Sequence, residues 1–571
     1  MTIASDAGEG KHRLEVLNPT ADGYGTEAAG LAPRPSGLAG QTVGLLWNGK
    51  PNGDVALRAL GAALESQFDG LRTRFYSGSI PCDPTLLEQV ARECSAVVGC
   101  TADCGSCSSW MTHDIIAMER AGVPAVLVVS KGFEEDVEAS ARAFALPDVA
   151  RVVVPWVYNN ATAEVSITQT LDALPGIVDR LEGRPHAKDA PNGALTAPSV
   201  ISFHSDDATD LFAQFNQYFT DRDWGDGYPL LPATRDAVDA LCHGIADADE
   251  VLYTLPPGNG QVTLRKIAVA CAMAGTTARE MAVVEAVLRA FNDPQQQVRL
   301  RTVLMSTSAH APFVLVNGPI TRELGINGGR ACIGPGAQNQ VNLRIGRAVT
   351  LALKNLGAWY PGVLDMDTIG SVRKNVVVIS ENVDESPWTP FHVDAGFGAD
   401  ENTVTLFVTL GETDVGFQGH LDPHQLARSI SAFDSVQGGY FSGLFGGEKA
   451  KESPSGRLLL IAPPHADALA EGGIGKEELR DLLFEYGHQP LSRILEQWRK
   501  LHLDGKTFPE WDWAFALDAQ EQERRTLPVV RSRDQYVLAV CGSTRGKDMF
   551  MPTALPPVTA TLRAQWSDRS S

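Results

Sequence analysis

Residues 96–121 read AVVGCTADCGSCSSWMTHDIIAMERA. The first four are a short, apolar, valine-rich run, 108–121 has the spacing of a helix, and Cys100, Cys104 and Cys107 stand between them. A strand that hands the chain straight to a helix is the building unit of a parallel sheet covered by helices. The same alternation repeats outward from this point. Strand-like runs at 42–47, 71–76, 124–129 and 152–155 alternate with helical patterns at 54–66, 84–93, 134–145 and 162–181. The expectation is an α/β chain whose 41–182 segment is a doubly wound parallel sheet of the flavodoxin or Rossmann kind. Its ligands should sit beyond the carboxyl ends of the strands.

Flanking composition suggests further boundaries. Residues 1–40 are rich in Gly, Ala and Pro without periodicity and read as a flexible arm; 183–205 is polar and Pro/Gly-containing and reads as a linker. The remaining 206–571 carries helical patterns at 263–292 and 342–357 and strand candidates at 376–379, 404–409, 458–462 and 536–540, a larger mixed α/β region of one or two domains. With 571 residues, 44% hydrophobic and 20% charged, the chain has ordinary globular usage. Forty-eight Lys and Arg against 69 Asp and Glu leave a net charge of −21, which repels phosphate backbones and anionic membranes. No apolar run is long enough to span a bilayer and no apolar segment opens the chain, so the expectation is a cytoplasmic protein with neither nucleic acid nor membrane as partner. Nine cysteines are too sparse for a disulfide scaffold.

Five of those nine lie between Cys82 and Cys107. Cys104 and Cys107 fall where a strand delivers the chain to a helix N-terminus, whose unpaired N–H groups lower a thiol's pKa and make it a nucleophile. Their spacing puts the second sulfur one turn from the first, within disulfide reach. Counted from Cys100, the pattern C-x3-C-x2-C also matches the way radical-SAM enzymes hold an iron–sulfur cluster, and a cluster on Cys100, Cys104 and Cys107 is kept as the alternative. Against it, Ser106 stands where an aromatic usually precedes the last cysteine, and the motif follows a third strand.

The run Asp103-Cys104-Gly105-Ser106-Cys107, with Trp110, His113 and Asp114 after it and the turn Asn48-Gly49-Lys50-Pro51-Asn52 before it, resembles the UGSC-type (seleno)protein family over about residues 14–182. More remotely it is similar to the selenocysteine-bearing subunit of the glycine, sarcosine and betaine reductases. The resemblance implies an attacking chalcogen at Cys104, here sulfur, and a resolving thiol at Cys107. His113, roughly 9 to 15 Å along the helix from the sulfurs, is a candidate to orient substrate or move a proton. Asn48, Lys50 and Asn52 are candidates to bind substrate, Lys50 holding a carboxylate or phosphate.

The most glycine-dense loop is NGGRACIGPGAQNQ, residues 327–340, followed by a helix with Arg344 and Arg347 one turn apart. Bare N–H groups before a helix suit an anion cradle, so Gly328, Gly329, Arg330, Arg344 and Arg347 are expected to hold an acidic group of the substrate. The loop 541–547 could line the same crevice. His392, Asp394, His420, Asp422 and His424 lack a metal-site spacing, and no metal or resident cofactor is expected. Taken together, the residues point to a thiol-dependent oxidoreductase acting on a small, anionic molecule, with a dithiol such as a thioredoxin-like protein as reductant and self-association possible. A non-redox cysteine-dependent lyase and a redox-responsive binding protein are the rivals.

Overall fold

The computed structural model describes residues 11–23, 30–80, 82–144, 146–183, 198–416, 422–437, 456–496, 499 and 512–563. Strand β1 (His12–Leu17) precedes five strands, β2 (Thr42–Trp47), β3 (Arg72–Ser77), β4 (Ala96–Ala102), β5 (Ala125–Ser130) and β6 (Arg151–Val154). These five form one parallel sheet in the order β3-β2-β4-β5-β6. That is the flavodoxin-type order, with the reversal of direction between β2 and β4. Helices α1 (Gly53–Gln67), α2 (Pro84–Glu93), α3 (Gly105–Arg120), α4 (Glu134–Ala143), α5 (Ala163–Asp172) and α6 (Leu174–Glu182) connect and follow the strands. One face of the sheet packs on α2, α3 and α4 through Leu87, Val90, Met111, Ile115, Val137 and Ala141. The other packs on α1 and α6 through Leu57, Leu60, Leu64, Ile177 and Leu181. The sheet is covered on both faces, as its continuous apolar strands require.

The segment expected to be a free arm is ordered over much of its length. β1 pairs antiparallel with β7 (Val200–Ser205), so the linker expected at 183–205 ends in a strand. Val16 and Ile201 lie in the core of the second region. Leu38 is fully buried, and Arg34 and the Ala32 amide both meet the buried Glu119 carboxylate at the end of α3. Apolar residues spread too thinly for a periodic signal therefore tie 12–23 and 30–38 to the rest of the molecule. Residues 1–10, 24–29 and 184–197 lie outside the described residues.

The second region begins with α7 (Ala208–Thr220) and α8 (Arg235–Leu241), then the small hairpin β8 (Tyr253–Leu255) and β9 (Gly260–Val262). Helices α9 (Leu264–Ala274), α10 (Ala278–Ala290), α11 (Gln297–Leu304), α12 (Ile320–Leu324) and α13 (Gln340–Asn355) accompany strands β10 (Ala311–Asn317), β11 (Val377–Ser380) and β12 (Thr403–Thr409). There follow β13 (Thr413–Gly416), β14 (Gly456–Ile461), β15 (His488–Pro490), β16 (Thr526–Pro528), β17 (Tyr536–Val540), β18 (Lys547–Thr553) and β19 (Val558–Thr561). Eight of these make a mixed sheet ordered β11-β10-β12-β18-β14-β17, with β13 on β18 and β19 on β12. It curls until its edges touch: the Asn382 amide donates to the Val540 carbonyl and the Cys541 thiol to the Ser380 carbonyl. Phe313, Leu315, Phe407, Leu458, Leu460 and Met551 fill the inside of the curl. Helices α9, α10 and α13 cover its outer face over Val314, Val316, Val404 and Leu406. Among the described residues no single helix is long and apolar enough to cross a membrane.

Candidate active site

β4 is buried along its whole length, and it delivers Cys104 to the N-terminus of α3, where the cysteine is the N-cap. Its sulfur accepts the Cys107 amide at 3.2 Å, which satisfies one of the helix's unpaired donors as an N-cap oxygen would. Cys104 and Cys107 are joined as a disulfide with Cα atoms 5.1 Å apart. The two sulfurs differ in access: Cys104 is half-buried and lines a cavity, whereas Cys107 is 1% exposed. Cys100 takes no part. It is 0% exposed on the opposite face of the sheet, among α1, α6 and Tyr158, and burial holds its thiol well above the usual range. A register irregularity between Gly99 and Ala102 puts Cys100 on the face of α1 and Ala102 on the face of α3, so Cys100 does not join Cys104 and Cys107 in the triad of the cluster alternative.

Asp103 is the group that sequence reasoning passed over. It is buried directly before Cys104, with Oδ1 accepting the Thr101 hydroxyl at 3.2 Å and Oδ2 the Asn159 amide at 3.1 Å. Burial raises its carboxyl above the ordinary range; those two hydrogen bonds and the Lys50 charge offset this only in part. Lys50 thus faces the site electrostatically. Asn48 and Asn52, expected to touch substrate, are buried braces instead. Asn48 donates to the Thr101 carbonyl at 2.7 Å, tying the loop after β2 to the end of β4. Asn52 caps α1 in a left-handed conformation and donates to the carbonyls of Tyr158 and Ala161. His113 points elsewhere too. Its Nδ1 lies 3.1 Å from the buried Asp114 carboxylate and its ring meets Trp110 and Phe144 edge-on.

The cavity at Cys104 has a volume of about 490 Å³ and is completed by the second region. Phe133 and Asp136 come from the loop and helix after β5; Thr307, Asp365, Met366, Asp367 and Thr368 come from the segments before β10 and β11. Contact is close enough that a Cβ on Gly105 would lie 2.8 Å from the Met366 side chain. Among the described residues, three carboxylates line the cavity and no Lys or Arg does. Lys374, just behind, meets Asp365 at 2.5 and 2.7 Å and Asp367 at 3.0 Å. Burial alone would raise the Asp367 carboxyl, but the Gly370 amide and Lys374 bring it below the ordinary range. Asp136 has no such help, and burial beside Glu135 raises it.

The glycine-rich loop does not line this cavity. Gly328 packs on the end of β11 so tightly that a Cβ would sit 2.2 Å from the Ser380 carbonyl, and its own carbonyl accepts the Gly542 amide. The loop 541–547 adjoins the glycine-rich loop through that bond. The arginines are already committed: Arg344 pairs with Glu280, and Arg347 with Asp226 through two nitrogens. Arg344 and Arg347 border a separate hollow of about 380 Å³ with Gly336, Ala337, Gln340, Leu343 and Ala274, while Arg330 is exposed. These glycines build a turn between strand ends, the arginines fasten α13 to its neighbours, and the anion cradle expected from the sequence is not formed at Cys104. Of the histidines and acids considered for a metal, His420 lies outside the described residues, His392 is buried, and Asp394 pairs with Lys476. Among the described residues the group suited to an ion is instead Asp103, Cys104 and Cys107.

No curated protein is significantly similar to the chain. The model of the UGSC family matches residues 15–183, which span the five-stranded sheet, the disulfide pair and the braces around it but stop short of the region that closes the cavity. Residues 15–183, with Cys104 at the switch point of their sheet, are accordingly similar to the UGSC family.

Proposed function

We propose that the protein is a thiol-dependent oxidoreductase acting on a small neutral or cationic molecule. The observation that carries this reading is the asymmetry of the pair: Cys104 opens to the cavity while Cys107 is buried behind it, within bonding distance. In the reduced protein the Cys104 thiolate, favoured by the α3 N-terminus, attacks an electrophilic carbon or heteroatom of the substrate and displaces its leaving group. The Cys107 thiolate then attacks Cys104 Sγ. The disulfide forms, the electron pair of the broken sulfur–substrate bond leaves with the substrate fragment, and that fragment takes up a proton. Two thiols are oxidised and the substrate is reduced by two electrons. A dithiol partner, a thioredoxin-like protein, resets the pair by attack at the accessible Cys104 sulfur, expelling the Cys107 thiolate. Asp103, buried and with its carboxyl raised above the ordinary range by that burial, is the candidate to hand over or accept the proton. The preference for a neutral or cationic substrate follows from the three carboxylates around the cavity and replaces the anionic substrate that the sequence suggested.

The test is a screen of small electrophiles against the Cys107→Ser variant, read by peptide mass. An adduct on Cys104 is expected, and with the same compound the wild-type protein should consume one dithiothreitol per product. Product without dithiol consumption would replace the reading with a non-redox lyase, and adducts only at other residues would remove Cys104 from the chemistry.

A further inference from the structure

We propose that the reduced Cys104–Cys107 pair, together with Asp103, is a binding site for a borderline-soft divalent cation, zinc above all, and that the disulfide and the metal are alternative occupants of the same position. The ligand atoms of Asp103, Cys104 and Cys107 all lie within 4.8 Å of one another. A tetrahedral shell with zinc–ligand bonds of about 2.0 to 2.3 Å spaces its atoms roughly 3.3 to 3.8 Å apart, so small side-chain adjustments bring the three together once the sulfurs part. Two thiolates and one carboxylate favour zinc over magnesium or calcium.

Surrounding groups hold these ligands in the manner of an outer shell. The Cys107 amide donates to Cys104 Sγ, while Thr101 and Asn159 donate to the two oxygens of Asp103 and fix its plane. Three anionic ligands outweigh the positive end of α3, about half a charge. Three protein ligands leave a fourth position open, and because Cys104 lines the cavity, that position faces the side from which a water or a small molecule arrives. The carboxylates of Asp136, Asp365 and Asp367 gather cations on this side. Loading the dithiol releases its two protons to solvent; oxidation by a small disulfide, which takes the two electrons and two solvent protons and leaves as two thiols, joins Cys104 to Cys107, removes both sulfur ligands and expels the ion. Cys100 is outside the set, on the far face of β4. None of this depends on the protein being an oxidoreductase.

The experiment uses the full-length chain, reduced anaerobically and freed of reductant, titrated with zinc in competition with a chromophoric chelator. One tight equivalent is expected for the reduced protein, with affinity at least a hundredfold lower after oxidation. Because the oxidised protein has the same sequence, this comparison stands whatever the folding of any variant. Cys100→Ala should leave the tight site intact and Asp103→Asn should weaken it at least tenfold. Zinc-edge X-ray absorption should find two sulfurs at about 2.3 Å in both the wild-type and Asp103→Asn proteins. Equal affinity in reduced and oxidised protein, equal affinity in Cys104→Ser, undiminished affinity in Asp103→Asn, or a shell without sulfur would each overturn the assignment.

Discussion

Cys104 and Cys107 are the same residue type three positions apart, yet the fold gives them different duties. One reaches a cavity; the other is buried in the first turn of α3, and the seven further cysteines are buried elsewhere in the fold. Limiting iodoacetamide added to the reduced protein should therefore mark Cys104 first, by an order of magnitude or more, as peptide mapping will read; faster labelling of any other cysteine would contradict the geometry. His113 is the contrasting case. Sequence spacing put it within reach of the chemistry, but nothing in a linear pattern tells which way a side chain turns from a helix. The buried Asp114 and the rings of Trp110 and Phe144 hold it away from the cavity lining. His113→Gln should leave kcat/KM within about twofold while lowering stability by roughly 1 kcal/mol, the usual worth of one buried hydrogen bond. A hundredfold loss of kcat/KM would return His113 to the reaction.

The β4–α3 junction was legible because every signal in it is local: an apolar strand, closely spaced cysteines and a helical period within twenty-six positions. The opposing wall was not. Residues 362–368 carry no periodicity and meet Cys104 only because the second region folds back on the first, a long-range contact that propensity does not encode. Gly105 records that contact. Gly105→Ala would ordinarily favour a helix by up to about 1 kcal/mol, but here its Cβ would press on Met366 at 2.8 Å. A net destabilisation of about 1 to 3 kcal/mol is expected from such overpacking, with a smaller cost of Gly105→Ala in a Met366→Gly background, which lacks the opposing Cβ. Additive losses would mean that the two segments do not touch in solution. The same wall has an acid sensitivity. His310, 5% exposed before β10, is pushed down to about 4 by burial, with Asp367 opposing and Lys374 and Arg373 reinforcing the shift. The sign follows from proton counting: between about pH 6.5 and 4 the unfolded chain binds a proton at His310 that the folded chain refuses. Stability contributed by the neutral histidine is therefore full above pH 6.5 and falls as the pH drops to 4, by about 3 kcal/mol at 1.36 kcal/mol per unit. Urea unfolding of wild type and His310→Gln across that range should show the wild type losing this much more than the variant; parallel curves would mean that His310 protonates freely in the fold.

At the scale of the molecule, a net charge of −21 sets the field in which a substrate arrives. From the sequence, one would look for a positive site to overcome that field and find it in Arg330, Arg344 and Arg347. Folding spends two of those charges on Glu280 and Asp226, pairs that no spacing rule links because the partners come from α10 and the loop before α8. What reaches Cys104 is instead Asp136, Asp365 and Asp367, offset in part by Lys374 and, on the side of Asp103, by Lys50. The field at the cavity thus has the sign of the whole protein. An opposite charge a few ångströms away contributes on the order of 1 kcal/mol even in water, about a fivefold effect on local concentration. Methanethiosulfonates of equal size and opposite charge measure this directly at the reduced Cys104. The trimethylammonium reagent should react at least tenfold faster than the sulfonate. Raising the salt concentration should narrow the ratio, because charges at an open cavity are screened within about 10 Å at 0.1 M. Asp136→Asn and Asp367→Asn should each narrow it further, whereas Arg330→Ala should leave it unchanged. A faster sulfonate reaction that Arg330→Ala abolishes would place the glycine-rich loop at the cavity after all and restore the anionic substrate.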